Sequence, residues 1–170
     1  MISEISTLEY APFYEGYIKK SEGLPLVEGL NEGLKKTKRL ISSFPEDKWD
    51  YRYAEGKWTP KEILLHLIDS ERVFVYRALL IARSETPDIK GFDQDEFVEN
   101  SYANTRSLSS LYTEYSQVRK ATISLFESFS HETLMRLGKA NGAQVSVRAI
   151  GRIILGHEIH HINVLRERYL

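Results

Sequence analysis

A chain of 170 residues is the size of one ordinary domain. Its 42% hydrophobic and 28% charged residues, with ten Tyr and seven Phe, are those of a globular protein with a large core and exclude a disordered chain. A net charge of −1, from 23 basic and 24 acidic residues, argues against nucleic acid or an anionic membrane as a partner, and the lack of cysteine excludes disulfides, cysteine-ligated zinc, iron–sulfur clusters and a cysteine nucleophile.

The opening Met1-Ile2-Ser3-Glu4-Ile5-Ser6 has neither the basic region nor the apolar run of a secretory signal. No stretch reaches the roughly 18 apolar residues needed to span a bilayer. A cytoplasmic protein is the expectation. Periodicity is helical throughout, and no alternating run is long enough to argue for a sheet. One domain over 1–170 is expected, with residues 1–23 an aromatic-rich extension (Tyr10, Phe13, Tyr14, Tyr17) packing across the outside of it.

A first core helix is predicted over about Pro25 to Ser43, where Leu26, Leu30, Leu34, Thr37 and Ile41 recur at three- and four-residue steps before Pro45. The second has the clearest start. Thr59 is a good N-cap, Pro60 fits the first helical position and Glu62 completes a capping box, with Trp58 and Ile63 as a hydrophobic staple. It runs to about Ala82 or Arg83. Thr86-Pro87-Asp88 and Gly91 mark a long connection with one helical turn around Asp95 to Asn100. The third helix, Ser107 to Phe129, carries the stripe Leu108, Leu111, Tyr115, Val118, Thr122, Leu125 and Phe129. A loop with Gly138 and Asn141-Gly142 follows. Ser146 caps the fourth helix, Val147 to about Arg168, whose stripe is Ile150, Ile153, Ile154, His157, His161 and Val164. Four such helices predict an all-α four-helix bundle, and the connections 44–58 and 84–106 leave room for a long crossover.

The chemistry lies in the histidines. Of five, His131 falls in a loop and is expected to be solvated. His157 and His161 stand one helical turn apart on an apolar face. A buried imidazole must satisfy two ring nitrogens, and a metal ion satisfies a stacked pair at once, with Zn²⁺, Ni²⁺ and Fe²⁺ as suitable ions. His66 lies on the second helix, which a bundle core can bring to the fourth. Three histidines would leave open coordination positions, as catalysis requires. The alternative is that all three are hydrogen-bonded core residues. His160, about 100° around the helix from His161, could pair with His157 at i,i+3, although His161 better continues the stripe. His160 then reads as a surface or interface residue.

His157-Glu158-Ile159-His160-His161 also matches the zinc-protease pattern with Glu158 as base. The rest of the sequence opposes it. A third ligand at Glu167 would be rotated about 80° from His157, Val164 stands where a turning glycine is needed, and too few residues follow to bring a distant ligand. Asp69 either orients a ligand histidine or pairs with Arg72 on the surface. Glu71 and Arg77 either face the pocket, where they would meet an anionic substrate, or pair on the surface.

Gly56-Lys57-Trp58-Thr59-Pro60-Lys61-Glu62-Ile63-Leu64-Leu65-His66-Leu67-Ile68-Asp69-Ser70-Glu71-Arg72 and Gly156-His157-Glu158-Ile159-His160-His161 together resemble the DinB/YfiT-like superfamily of metal-binding four-helix proteins. The resemblance covers about Gly23 to Leu170. It implies an up-down-down-up bundle and a divalent metal held by His66, His157 and His161, with waters completing the shell. Zn²⁺ or Ni²⁺ stands ahead of Fe²⁺ and Mn²⁺. It further implies a transferase or isomerase that uses a low-molecular-weight thiol cosubstrate, and frequent homodimers. Where many members carry Gly-Gln, this chain has Asn163-Val164, which leaves the ligands intact. Thiol S-transfer on a small-molecule substrate is the first expectation, metal-dependent hydrolysis the second, and a non-catalytic metal- or ligand-binding bundle the rival from another class.

Overall fold

The computed structural model describes residues 4–85 and 88–170; Thr86 and Pro87 of the predicted connection and residues 1–3 of the N-terminal extension lie outside the described residues. The four long helices are α2 (Leu26–Ser43), α3 (Pro60–Arg83), α5 (Leu108–Glu127) and α7 (Val147–Arg168), with three short ones, α1 (Glu15–Lys20), α4 (Gln94–Glu99) and α6 (His131–Met135). The predicted starts at Pro25 and Ser107 move by one residue because both serve as N-caps, and α5 ends at Glu127, two residues before Phe129. The start of α3 is as expected. The Thr59 hydroxyl accepts from the Glu62 N–H at 3.2 Å, and the Glu62 carboxylate accepts from the Thr59 N–H at 2.7 Å. Trp58 packs on the apolar cluster that holds Ile63.

Side-chain pairings give the helix directions. Thr59 at the start of α3 bonds Asn104 just ahead of α5, and Glu71 twelve residues on meets Arg119, so α3 and α5 run parallel. His66 lies against His157, while Ile63 clusters with Ile162 and Leu165, so α3 and α7 are antiparallel. Gly29 faces Leu155 and Thr37 bonds Glu158, so α2 and α7 are parallel. The bundle is therefore up-down-down-up, with α2 and α3 at opposite corners and each touching both α5 and α7.

A small sheet departs from the sequence expectation. Strands β1 (Asp88–Ile89), β2 (Leu137–Ala140) and β3 (Ala143–Ser146) lie in the order β1-β2-β3, β1–β2 parallel and β2–β3 antiparallel. Four residues are too few to display a two-residue period. The usable signal was the pair Asn141-Gly142, whose φ angles of 52° and 75° make a tight hairpin turn. His131 also departs from its loop assignment: it opens α6, where it is exposed. Among the described residues no helix is long and apolar enough to cross a membrane.

The N-terminal segment is bound to α7. Glu9 accepts from Ser146 at 2.8 Å and from Arg148 at 2.7 Å, and Arg152 donates to the Ser21 carbonyl at 2.7 Å. The backbones then approach so closely that a Cβ on Gly156 would collide with the Tyr17 carbonyl. Gly156→Ala should cost about 1–3 kcal/mol, the range for overpacking a filled interior. Urea unfolding measures that cost. Limited proteolysis should cut within 15–24 faster than in the wild type, and unchanged stability and cleavage would refute the close approach.

Candidate metal centre

Helix α3 carries His66 two turns past its cap, and α7 carries His157 and His161 one turn apart. Because α3 and α7 are antiparallel neighbours, the three rings converge. His66 Nε2 lies 3.0 Å from His157 Nε2, which lies 3.1 Å from His161 Nε2. One ring nitrogen from each residue falls within 4.8 Å of the other two. The His66 and His157 side chains are buried and His161 is partly so. Trp58 packs on His66 with centroids 4.7 Å apart, while Tyr17 and Phe74 approach His157 at 5.2 and 6.2 Å.

Proton counting shows what this cluster lacks. A neutral imidazole Nε2 either donates one proton or accepts at one lone pair. His157 Nε2 faces two other Nε2 atoms, so at most one of its two contacts is a proper hydrogen bond. Protonation is disfavoured as well. Burial pulls His66 down to about 4, helped by the nearby His160, and drives His157 and His161 well below the ordinary range, with the neighbouring imidazoles adding to the effect. The outer nitrogens are thinly supported: Ser70 Oγ lies 3.4 Å from His66 Nδ1, and the buried His161 Nδ1 has no partner. Three converging neutral imidazoles are the donor set a divalent cation accepts.

The other polar residues separate cleanly. His160 sits beside the cluster, its ring 4.9 Å from that of His161 and 5.6 Å from that of Tyr17. Glu158 turns away from the histidines, which removes it as a protease base. Its buried carboxylate accepts from Tyr115 Oη, from Thr37 Oγ1 at 2.9 Å and from Arg119 Nη1 at 2.7 Å. Arg119 also forks onto Glu71 at 2.8–3.1 Å. Glu71 is thus neither a pocket nor a surface residue. Burial opposes the Arg119 charge, but the Glu158 and Glu71 carboxylates outweigh it and hold the guanidinium well above its usual pKa. Gly33 makes room: a Cβ there would strike the Glu158 carboxylate and come within 2.9 Å of Arg119. Sequence reasoning missed Arg119. The signal was a charged residue four positions after Tyr115, on the face that also buries Leu111, Thr122 and Phe126. Asp69 pairs with Arg72 at 3.4 Å, and Ser70 stands nearest the outer nitrogen of His66.

A cavity of about 310 Å³ opens against His157 and Ser70, between the N-terminal segment, α3, the connection before α4 and the β2–β3 hairpin. Tyr14, Tyr17, Phe74 and Phe92 wall it, and Arg77 lines it.

Comparison with known proteins agrees with this architecture. The family model described as DinB superfamily matches residues 30–165. "Putative metal-dependent hydrolase OB0413" of Oceanobacillus iheyensis is 25% identical over 145 residues, 80% of this chain and 83% of that protein. "Putative metal-dependent hydrolase YfiT" of Bacillus subtilis is 29% identical over 91 residues, 54% of this chain and 50% of that protein. The solved structure of YfiT, described as having an unusual four-helix bundle topology, superposes with a TM-score of 0.77 at 20% identity, covering 94% of this chain and 91% of the other. The DinB-like YjoA of B. subtilis gives 0.58 at 22% identity, covering 83% and 86%.

Two outcomes follow from the geometry. In protein stripped of metal by a chelator, His66 binds its proton more weakly folded than unfolded. Stability is therefore complete above about 6.5 and falls as pH drops towards about 4, by about 3 kcal/mol from His66 alone. Urea unfolding across that window measures it, and a flat profile would contradict a neutral buried His66. Arg119→Met strands two buried carboxylates and should cost about 3–5 kcal/mol by the same assay.

Proposed function

The chain belongs to the DinB superfamily, and from that premise we propose that it is a divalent-metal-dependent enzyme acting on a small molecule, with His66, His157 and His161 as the metal ligands. The convergence of three neutral Nε2 atoms beside an open cavity carries this reading. Three protein ligands would leave positions for water and substrate, and one of the three, His157, also lines the cavity. A divalent ion, when bound, supplies the Lewis acidity that makes a water or thiol nucleophilic near neutral pH.

The chain's own residues provide the rest. Burial keeps the imidazoles unprotonated, so their lone pairs are available well below neutrality. Tyr17, Phe74 and Trp58 fix the ring planes and exclude water from one side. The Arg119 network anchors α7 one residue from His157. The names of two relatives favour hydrolysis with an activated water. Thiol S-transfer rests on the sequence resemblance alone, and the same ligand set would serve it.

Elemental analysis of the untagged protein tests the metal site. About one equivalent of Zn or Ni is expected in the wild type, with loss in His66→Ala, His157→Ala and His161→Ala. A full equivalent retained in His157→Ala would sink the assignment, as would a wild type that holds no metal after incubation with Zn²⁺ or Ni²⁺ and dialysis. Cobalt substitution separates the chemistries. A thiolate charge-transfer band on adding a small thiol supports transfer, and an unchanged spectrum supports hydrolysis.

A further inference from the structure

Three arginines are buried among the described residues, and they are treated differently. Arg152, 7% exposed, donates to the Ser21 and Leu24 carbonyls. Arg119, 1% exposed, is clamped by two carboxylates. Arg77, 3% exposed, has none within ion-pair distance among the described residues. Its Nη2 makes one long bond to the Lys90 carbonyl at 3.4 Å, and its Nε has no partner. Its guanidinium carbon lies 5.6 Å from the Phe74 ring centre and 5.7 Å from that of Phe92. Aromatic faces attract the cation, but they do not replace the in-plane acceptors that a guanidinium needs. A buried cation without a counter-ion is unfavourable. Here it lines the cavity that His157 also lines.

We propose that Arg77 is the anchor for a substrate carboxylate, so that the ligand is a small organic acid with an apolar or aromatic body. The guanidinium fork matches a carboxylate, which would give Nε its missing acceptor. Tyr14, Tyr17, Phe74 and Phe92 receive the body, and the end opposite the carboxylate reaches His157. About 310 Å³ suits a molecule at the small end of the range for ligand pockets. Only the word substrate rests on the metal-enzyme reading; the anion site rests on Arg77 itself.

Calorimetric titration with phenylacetate, against its neutral isostere phenylacetamide and against phenyl phosphate, tests this. Chelator-treated and zinc-loaded protein are both used, with metal content measured on each sample. Phenylacetate should bind more tightly than the amide in both forms. Arg77→Gln should weaken it by about tenfold or more, while the amide is unaffected. Ala143→Phe, which fills the cavity without touching the charge, should weaken acid and amide alike. Arg77→Lys should give an intermediate loss and also guards against misfolding of the Gln variant. Equal binding of acid and amide, binding confined to the zinc-loaded form, preference for phenyl phosphate alone, or an Arg77→Gln variant that still discriminates would each overturn the carboxylate anchor. Failure of the metal reading shows separately, as protein that holds no zinc yet still prefers the acid through Arg77.

Discussion

Arg119 sets the geometry on which the rest depends. One guanidinium reaches Glu71 on α3 and Glu158 on α7, and also donates to the Leu30 carbonyl on α2 at 3.3 Å. All four long helices thus meet at one buried charge. An isolated ion pair at such depth stabilises little against a hydrophobic replacement. Its value here is positional, since wrong registers would strand a charge. Glu158 adjoins His157 in sequence, and Glu71 lies five residues beyond His66. The pairing that fixes α3 against α7 at Glu71 and Glu158 therefore also fixes the distance between their histidines.

The two faces of one turn of α7 do opposite work. One face sends His157 and His161 towards His66 of α3, with His157 also lining the cavity. The other sends Glu158 into the charged core, where Thr37 and Tyr115 share its carboxylate. A five-residue string that matches a protease signature is, in three dimensions, two separate sites back to back. The helical repeat of about 3.6 residues per turn separates them.

Much of this was legible in the sequence. Thr59-Pro60 and Glu62 announced α3 because a capping box is a local device, and the His157–His161 spacing needed only helical geometry. What escaped depended on tertiary contact. The polarity of Thr37 and Tyr115 was absorbed into apolar stripes because each finds its partner on another helix, over 121 and 43 residues. Arg119 looks like a surface residue until Glu71 and Glu158 are placed around it. The β2–β3 hairpin was too short to show a period, and only its Asn-Gly turn spoke for it. Glu71 and Arg77 were indistinguishable as sequence. Both are buried, and their partners separate them: Glu71 meets the Arg119 guanidinium, whereas Arg77 lines the cavity with no carboxylate at ion-pair distance among the described residues.

The parallel course of α3 and α5 has an evolutionary consequence. Parallel neighbours cannot be joined by a tight turn, so residues 84–107 must travel back along the bundle, and on the way they bring Gly91, Phe92 and Gln94 to the cavity. The segment before α2 and the hairpin supply more of its lining, and Ser70, Phe74 and Arg77 of α3 supply the rest beside His157. Much of the lining is thus encoded apart from the helices that carry the histidines. Insertions or substitutions in the excursions can change what the cavity accepts without moving a histidine. On the proposed reading, a lineage built on this frame can diversify its substrates while the metal chemistry stays fixed.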